Sequence, residues 1–257
     1  MTKKRWVVKI GSALLTNNGK GLDKSMIAEW VEQIIKLNAD EIEVILVSSG
    51  AIAEGIGRMG WDTRPEDLHQ LQAVAAIGQM GLVQTYETIF SKHNRHTAQI
   101  LLTHDNLTNS QRFENISSTL NNLLSWGVVP IINENDTVAN DEIKFGDNDT
   151  LAALVANLAG AEKLIILTDQ EGVYDGDPRE NAGAKLISEI AVDDKKLTKV
   201  AARTSGSFGS GGMYTKVLAA KTAAKSNTTT IIASGKAKNI LTRLHSGERV
   251  GTLIRCK

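Results

Sequence analysis

Seven short apolar runs divide the chain: RWVVKI, VILVSS, AQILLT, VVPII, KLIILT, TTIIAS and GTLIR. Between them lie helix-length stretches such as DKSMIAEWVEQIIKLNAD and PEDLHQLQAVAAIGQMGLVQTYETIF. Continuous apolar runs of this length suit strands buried on both faces, and helical crossovers between them predict a mainly parallel sheet. The expectation is an α/β fold in one domain over residues 1–257, since proline is scarce and no Gly/Ser-rich linker interrupts the pattern.

Composition narrows the function classes. The 257 residues carry no net charge, which argues against nucleic acid as a partner, because its binders show a basic excess or patch. A single cysteine, Cys256, excludes an internal disulfide and points to a reducing, cytoplasmic home. The opening MTKKRWVVKIGS has Lys9 inside its short apolar run, so it reads as a strand rather than a signal peptide. No apolar run is long enough to span a membrane.

In open α/β sheets, ligands collect at the carboxyl ends of the strands. The runs end there in KIGS, VSSGAIAEG, IINEND and LTDQEG. Lys9 fits two readings, an edge-strand lysine reaching solvent or a fixed cation aimed at an anion, because a buried ammonium needs a partner. Ser48, Ser49 and Gly50 open a helix, where free backbone N–H groups attract a carboxylate or phosphate; a serine N-cap is the plainer alternative. Gly206, Gly209, Gly211 and Gly212 crowd before a helix beginning near Met213, and Lys216 falls in its first turn. The helix dipole disfavours a cation there unless an anion such as a bound phosphate compensates it. The spacing matches neither G-x-x-x-x-G-K-[ST] nor G-x-G-x-x-G.

The acidic loop completes the set. Of the seventeen residues from Asn133 to Asp149, ten are Asn, Asp or Glu. Asp149 stands where a carboxylate would N-cap the next helix, whereas Asp136 and Asn148 have no evident structural duty. Donor-rich and acceptor-rich walls in one crevice suit a ligand with both an ammonium and a carboxylate, that is, an amino acid. The five histidines lie in none of these motifs and read as surface or packing residues.

These blocks carry a resemblance that runs nearly end to end. VVKIGS, SSGAIAEG, AAIGQMGL, VVPIINENDTVANDEIKFGDNDTLAALVA, KLIILTDQEGVYDGDPR and GSGGMYTK resemble the amino-acid kinase family, most nearly its glutamate-phosphorylating branch. The resemblance implies a three-layer αβα sandwich and the first step of proline biosynthesis, in which ATP phosphorylates the γ-carboxylate of L-glutamate. It implies Lys9, Lys216 and Asp149 as catalytic residues. Ser49, Gly50, Asp136 and Asn148 would bind glutamate. Lys9, Thr168, Asp169 and the loop Ser210, Gly211, Gly212, Met213, Tyr214, Thr215 and Lys216 would bind ATP. The part before about residue 160 would then serve mainly glutamate and the part after it mainly ATP. Mg²⁺ would enter on the ATP phosphates, with no protein metal site. Proline inhibition and a homo-oligomer, dimer or tetramer, are implied by the family alone. Many members continue into a PUA domain, for which a chain ending at VGTLIRCK is expected to leave no room. Two rivals stay open: a sister kinase with another acceptor, and a catalytically inactive nucleotide or amino-acid sensor of the same fold. The IINENDTVA block favours free glutamate, and the presence of Lys9, Asp149 and Lys216 favours catalysis.

Overall fold

The first strand sets the architecture. In the computed structural model, which describes residues 4–16, 21–138, 148–203 and 212–256, β1 (Lys4–Ile10) is buried from Trp6 onward. It lies between β2 (Ile42–Ser48) and β5 (Lys163–Thr168), parallel to both. Around it run β3 (Thr97–Leu102), β4 (Val129–Glu134), β6 (Glu189–Ala191), β7 (Thr229–Ser234) and β8 (Thr252–Arg255). They form one continuous sheet in the order β3-β4-β2-β1-β5-β7-β8-β6, parallel except where β7 meets β8. The seven apolar runs are all strands. The eighth strand, β6, reads only EIA and is too short to show a period of two.

The connecting helices are α1 (Ser12–Leu15), α2 (Lys24–Ala39), α3 (Ala51–Met59), α4 (Leu68–Ser91), α5 (His104–Thr108) and α6 (Ser110–Ser125). After the acidic loop come α7 (Asp149–Ala159), α8 (Lys195–Arg203), α9 (Met213–Ala223) and α10 (Ile240–His245). Local signals explain their limits. Asp23 caps α2 by accepting from the backbone N–H groups of Ser25 and Met26. Its buried Ile27, Trp30, Val31, Ile34 and Leu37 follow the helical period. Gly160, with φ of 59°, ends α7 in a left-handed turn.

Two cores flank the sheet. Trp6, Val8 and Ile10 pack with α2, α4 and α10, whereas Val7 packs with α6, α7 and α9. Strand alternation therefore turns Lys9 toward the same face as Val7, under α7 and α9. This gives the three layers expected. No helix among the described residues is long and apolar enough to cross a membrane.

The pair α3 and α4 packs with almost no space between backbones. A Cβ added at Gly78 would lie 1.8 Å from the Ala51 carbonyl oxygen, and one at Gly55 would lie 2.0 Å from that of Val74. Only a separation of the helices accommodates a methyl there, and α3 carries residues of the crevice described below. Gly78→Ala is expected to cost about 1–3 kcal/mol, a typical overpacking penalty. Chemical denaturation measures it; an unchanged midpoint would show that α3 moves freely.

Candidate active site

Register aligns the strand ends that the sequence singles out. Ile10 lies opposite Ser48 on one side and Leu167 on the other, so β1, β2 and β5 finish together. The chain builds β2, β3 and β4 on one side of β1, then crosses to β5 on the other, which makes β1 the topological switch point.

Lys9 emerges at that point with 3% of its surface exposed. Its Nζ lies 2.6 Å from Oδ1 of Asp149, which is fully buried in the first turn of α7. The other oxygen, Oδ2, lies 3.0 Å from Nζ of the buried Lys216 in the first turn of α9. The Thr215 hydroxyl is 2.9 Å from the same Oδ2 and 2.8 Å from the Gly212 carbonyl. One carboxylate thus holds two ammonium groups from separate elements. All three charged groups are buried, where electrostatic interactions are strongest.

Three local expectations change. Asp149 does not cap α7; Asn148 holds the N-cap position, and Asp149 directs its oxygens to the lysines. The cation in the first turn of α9 is compensated by Asp149, without needing a phosphate. At α3 the N-cap is Gly50, not a serine, with φ of 99°, a conformation open chiefly to glycine.

Asn148 also has the structural duty that its sequence position does not reveal. Its Nδ2 lies 2.9 Å from the Ser48 carbonyl, 3.1 Å from Ser49 Oγ and 2.7 Å from Asn133 Oδ1. Asn133 donates in turn to Gln79 Oε1 at 2.8 Å, and the Ser48 and Tyr86 hydroxyls meet at 3.1 Å. This buried network ties α4 to the ends of β2 and β4. It fixes Ser49 and Asn148 on the wall of a crevice that Gly50, Arg64, Glu134 and Asp136 also line. Burial pushes the Asp136 carboxyl up to about 6, while the Arg64 guanidinium pulls it back down.

On the other side of β1, Thr168 ends β5 and its hydroxyl donates to the exposed Asp169 carboxylate at 3.0 Å. Gly212 caps α9, Tyr214 is exposed, and the Met213 side chain is buried in the core beneath α9. Of Met213, therefore, only the backbone is free to face a ligand at that helix start. Ser210 and Gly211 lie outside the described residues, as do residues 139–147 of the acidic loop. Asn133 and Arg64 also line the crevice, and Gln79 supports it from behind by accepting from Asn133. Asn133 lies next to the carboxyl end of β4 and is legible by the strand-end rule, whereas Gln79 and Arg64 offer no local signal.

Two fixed ammonium groups at the switch point of a parallel sheet, beside a polar crevice, are the makings of a small-molecule phosphotransferase. The model of the amino acid kinase family matches residues 4–234. A glutamate 5-kinase from Hydrogenovibrio crunogenus is 59% identical over 251 residues, covering 98% of this chain and 67% of the relative. One from Pseudomonas syringae pv. tomato is 58% identical over 250 residues, covering 97% and 67%. The fold is also that of the UMP kinases from Bacillus anthracis and Ureaplasma parvum. The first aligns with a TM-score of 0.66 at 16% identity, over 100% of this chain and 98% of that one. The second has a TM-score of 0.66 at 19% identity, over 99% and 100%. The chain belongs to the amino acid kinase family and, within it, to the glutamate 5-kinases.

Proposed function

We infer that this chain transfers the γ-phosphoryl group of ATP to the γ-carboxylate of L-glutamate, giving γ-glutamyl phosphate and ADP in the first step of proline biosynthesis. The observation that carries this reading is the clasp of Lys9 and Lys216 on Asp149, next to a crevice holding Asp136. A γ-carboxylate oxygen attacks the γ-phosphorus, and the bond to the β,γ-bridging oxygen breaks to release ADP. The nucleophile is already ionised at neutral pH, so no proton has to move and no general base is needed. Catalysis then rests on positioning and on cations preorganised toward charge on the transferring group.

Residue roles follow from position. Lys9 and Lys216 face the phosphates and the moving phosphoryl group, and Asp149 holds both ammonium groups in place. Ser49, Gly50 and Asn148 form the glutamate wall, with Asp136 receiving the α-ammonium. Thr168, Asp169 and residues 210–216 serve ATP, which divides a single kinase domain near residue 160 into a glutamate part and an ATP part. Both Asp149 oxygens already face Lys9, Lys216 and Thr215, which supports Mg²⁺ arriving on the ATP phosphates rather than on a protein carboxylate. Exposed Met80 and Ile77 on α4, beside the edge strand β3, support a homo-oligomer. A cytoplasmic location and inhibition by proline come from the family likeness.

The test is ADP release against a panel of acceptors, with hydroxylamine present to trap an acyl phosphate as its hydroxamate. Hydroxamate formation with glutamate supports the assignment. Turnover with aspartate, acetylglutamate, carbamate or UMP instead would make it a sister kinase, and nucleotide binding without turnover would make it a sensor.

Asp136 gives a pH test. Asp136→Ala is expected to raise glutamate KM by about one to two decades with ATP KM little changed, since a charge-assisted hydrogen bond contributes roughly 1.5–3 kcal/mol. The raised proton affinity of Asp136 means that the folded state binds more protons than the unfolded chain between the ordinary carboxyl value and about 6. Its contribution to stability is therefore present at low pH and lost as pH rises through about 6. Ammonium binding runs the opposite way, because it needs the ionised form. Glutamate KM should rise as pH falls below about 6 in the parent enzyme, and this limb should vanish in Asp136→Asn. A flat profile in the parent would remove Asp136 from the ammonium site.

A further inference from the structure

The crevice beside the lysine clasp also contains a cation, Arg64. Arg64 lies in the connection between α3 and α4, outside any strand end or glycine-rich motif. It lines the crevice together with Ser49, Asp136 and Asn148. Two carboxylates, Glu134 and Asp136, line the same crevice, and Arg64 is the one formally positive side chain among its lining residues.

Glutamate brings three charges to such a site. Its γ-carboxylate must lie toward Lys9 and Lys216, where the phosphoryl group arrives. Its α-ammonium and α-carboxylate sit on one carbon, so the head group requires an acceptor and a cation close together. A head group facing only Glu134 and Asp136 would set its own carboxylate against two others. The Arg64 guanidinium is near enough to Asp136 to act on its charge.

We propose that Arg64 binds the α-carboxylate of the substrate, so that Asp136 and Arg64 grip the zwitterionic head group from opposite signs. This deepens the glutamate reading above and rests on it. A planar guanidinium presents paired N–H donors that match a carboxylate in a way that a lysine ammonium does not. Because Arg64 is exposed and belongs to a connection rather than to the core, its replacement leaves the packing of the sheet intact. Selectivity for α-amino acids over simple amines or diacids then arises from this pair.

The experiment compares the parent enzyme with Arg64→Leu and Arg64→Lys, using hydroxamate formation from glutamate. Inhibition by 4-aminobutyrate, which lacks the α-carboxylate, and by glutarate, which lacks the ammonium, is measured alongside. The expected result for Arg64→Leu is a glutamate KM raised about 10- to 100-fold with kcat within about threefold, as for a lost charge-assisted contact in substrate binding. Glutarate inhibition should weaken in parallel, 4-aminobutyrate inhibition should hold, and Arg64→Lys should restore only part of the loss. Asp136→Ala should give the reverse pattern with the two analogues. A glutamate KM within twofold of the parent in Arg64→Leu overturns the proposal, as does equal weakening of both analogues. If neither analogue inhibits the parent, the KM ratio alone decides. A parent enzyme that forms no hydroxamate from glutamate refutes the glutamate reading itself, a failure distinct from an active parent with an indifferent Arg64.

Discussion

Lys216→Ala is expected to lower kcat by about two to four decades while glutamate KM changes little, because preorganised donors facing transition-state charge contribute typically about 3–4 kcal/mol. Lys216 is buried, lies in the first turn of α9, and reaches Asp149 Oδ2 at 3.0 Å. It is therefore held in place before any substrate arrives. An interaction that strengthens only as charge moves onto the transferring group affects kcat rather than ground-state binding. Lys216→Arg should recover only a fraction, since a planar guanidinium cannot take the place of a compact ammonium beside both Asp149 and Thr215. Steady-state kinetics on a variant shown by circular dichroism to be folded provides the measurement. A near-parental kcat with a raised ATP KM would leave Lys216 as a ground-state binder and Lys9 as the principal catalytic cation.

How legible these features are in the sequence depends on their range. Lys9 is conspicuous because a charge inside an apolar strand has a cost that must be offset nearby, and strand alternation fixes which face it takes. The seven apolar runs reveal seven strands for the same local reason. Asp149 shows the limit of that reasoning. Its place at a helix start suggests capping, but its partners stand at Lys9 and Lys216, and only the crossing of the chain over β1 brings them together. Gln79 reaches Asn133 across 54 residues by way of a helix that locally looks like plain core. Arg64 sits in a connection whose sequence reads as surface. Long-range polar pairing has no period, so patterning does not reveal it. The family likeness supplied Asp149 as a catalytic residue, whereas Gln79 and Arg64 needed the fold.

Asp149 should be the most costly of the site residues to remove. With Asp149→Ala, two ammonium groups lose the carboxylate that faces both of them in a position with no solvent exposure of its own. Breaking a buried ion pair by deleting one partner costs about 3–5 kcal/mol, because the remaining charge is left uncompensated. Stability should fall by that order and kcat by at least three decades, since both lysines lose their positions at once. Asp149→Asn separates the two effects: it keeps the shape and one acceptor oxygen but removes the charge, so kcat should drop nearly as far with a smaller loss of stability. The vacated charge also makes an unusual linkage prediction. An anion that reaches the two lysines replaces the missing carboxylate, so ATP should raise the melting temperature of Asp149→Ala more than that of the parent. Thermal unfolding with and without nucleotide, read beside kcat, checks both points. Parental kcat in Asp149→Asn would show that the lysines hold their geometry without a counter-charge, and the clasp would then be a feature of folding rather than of catalysis.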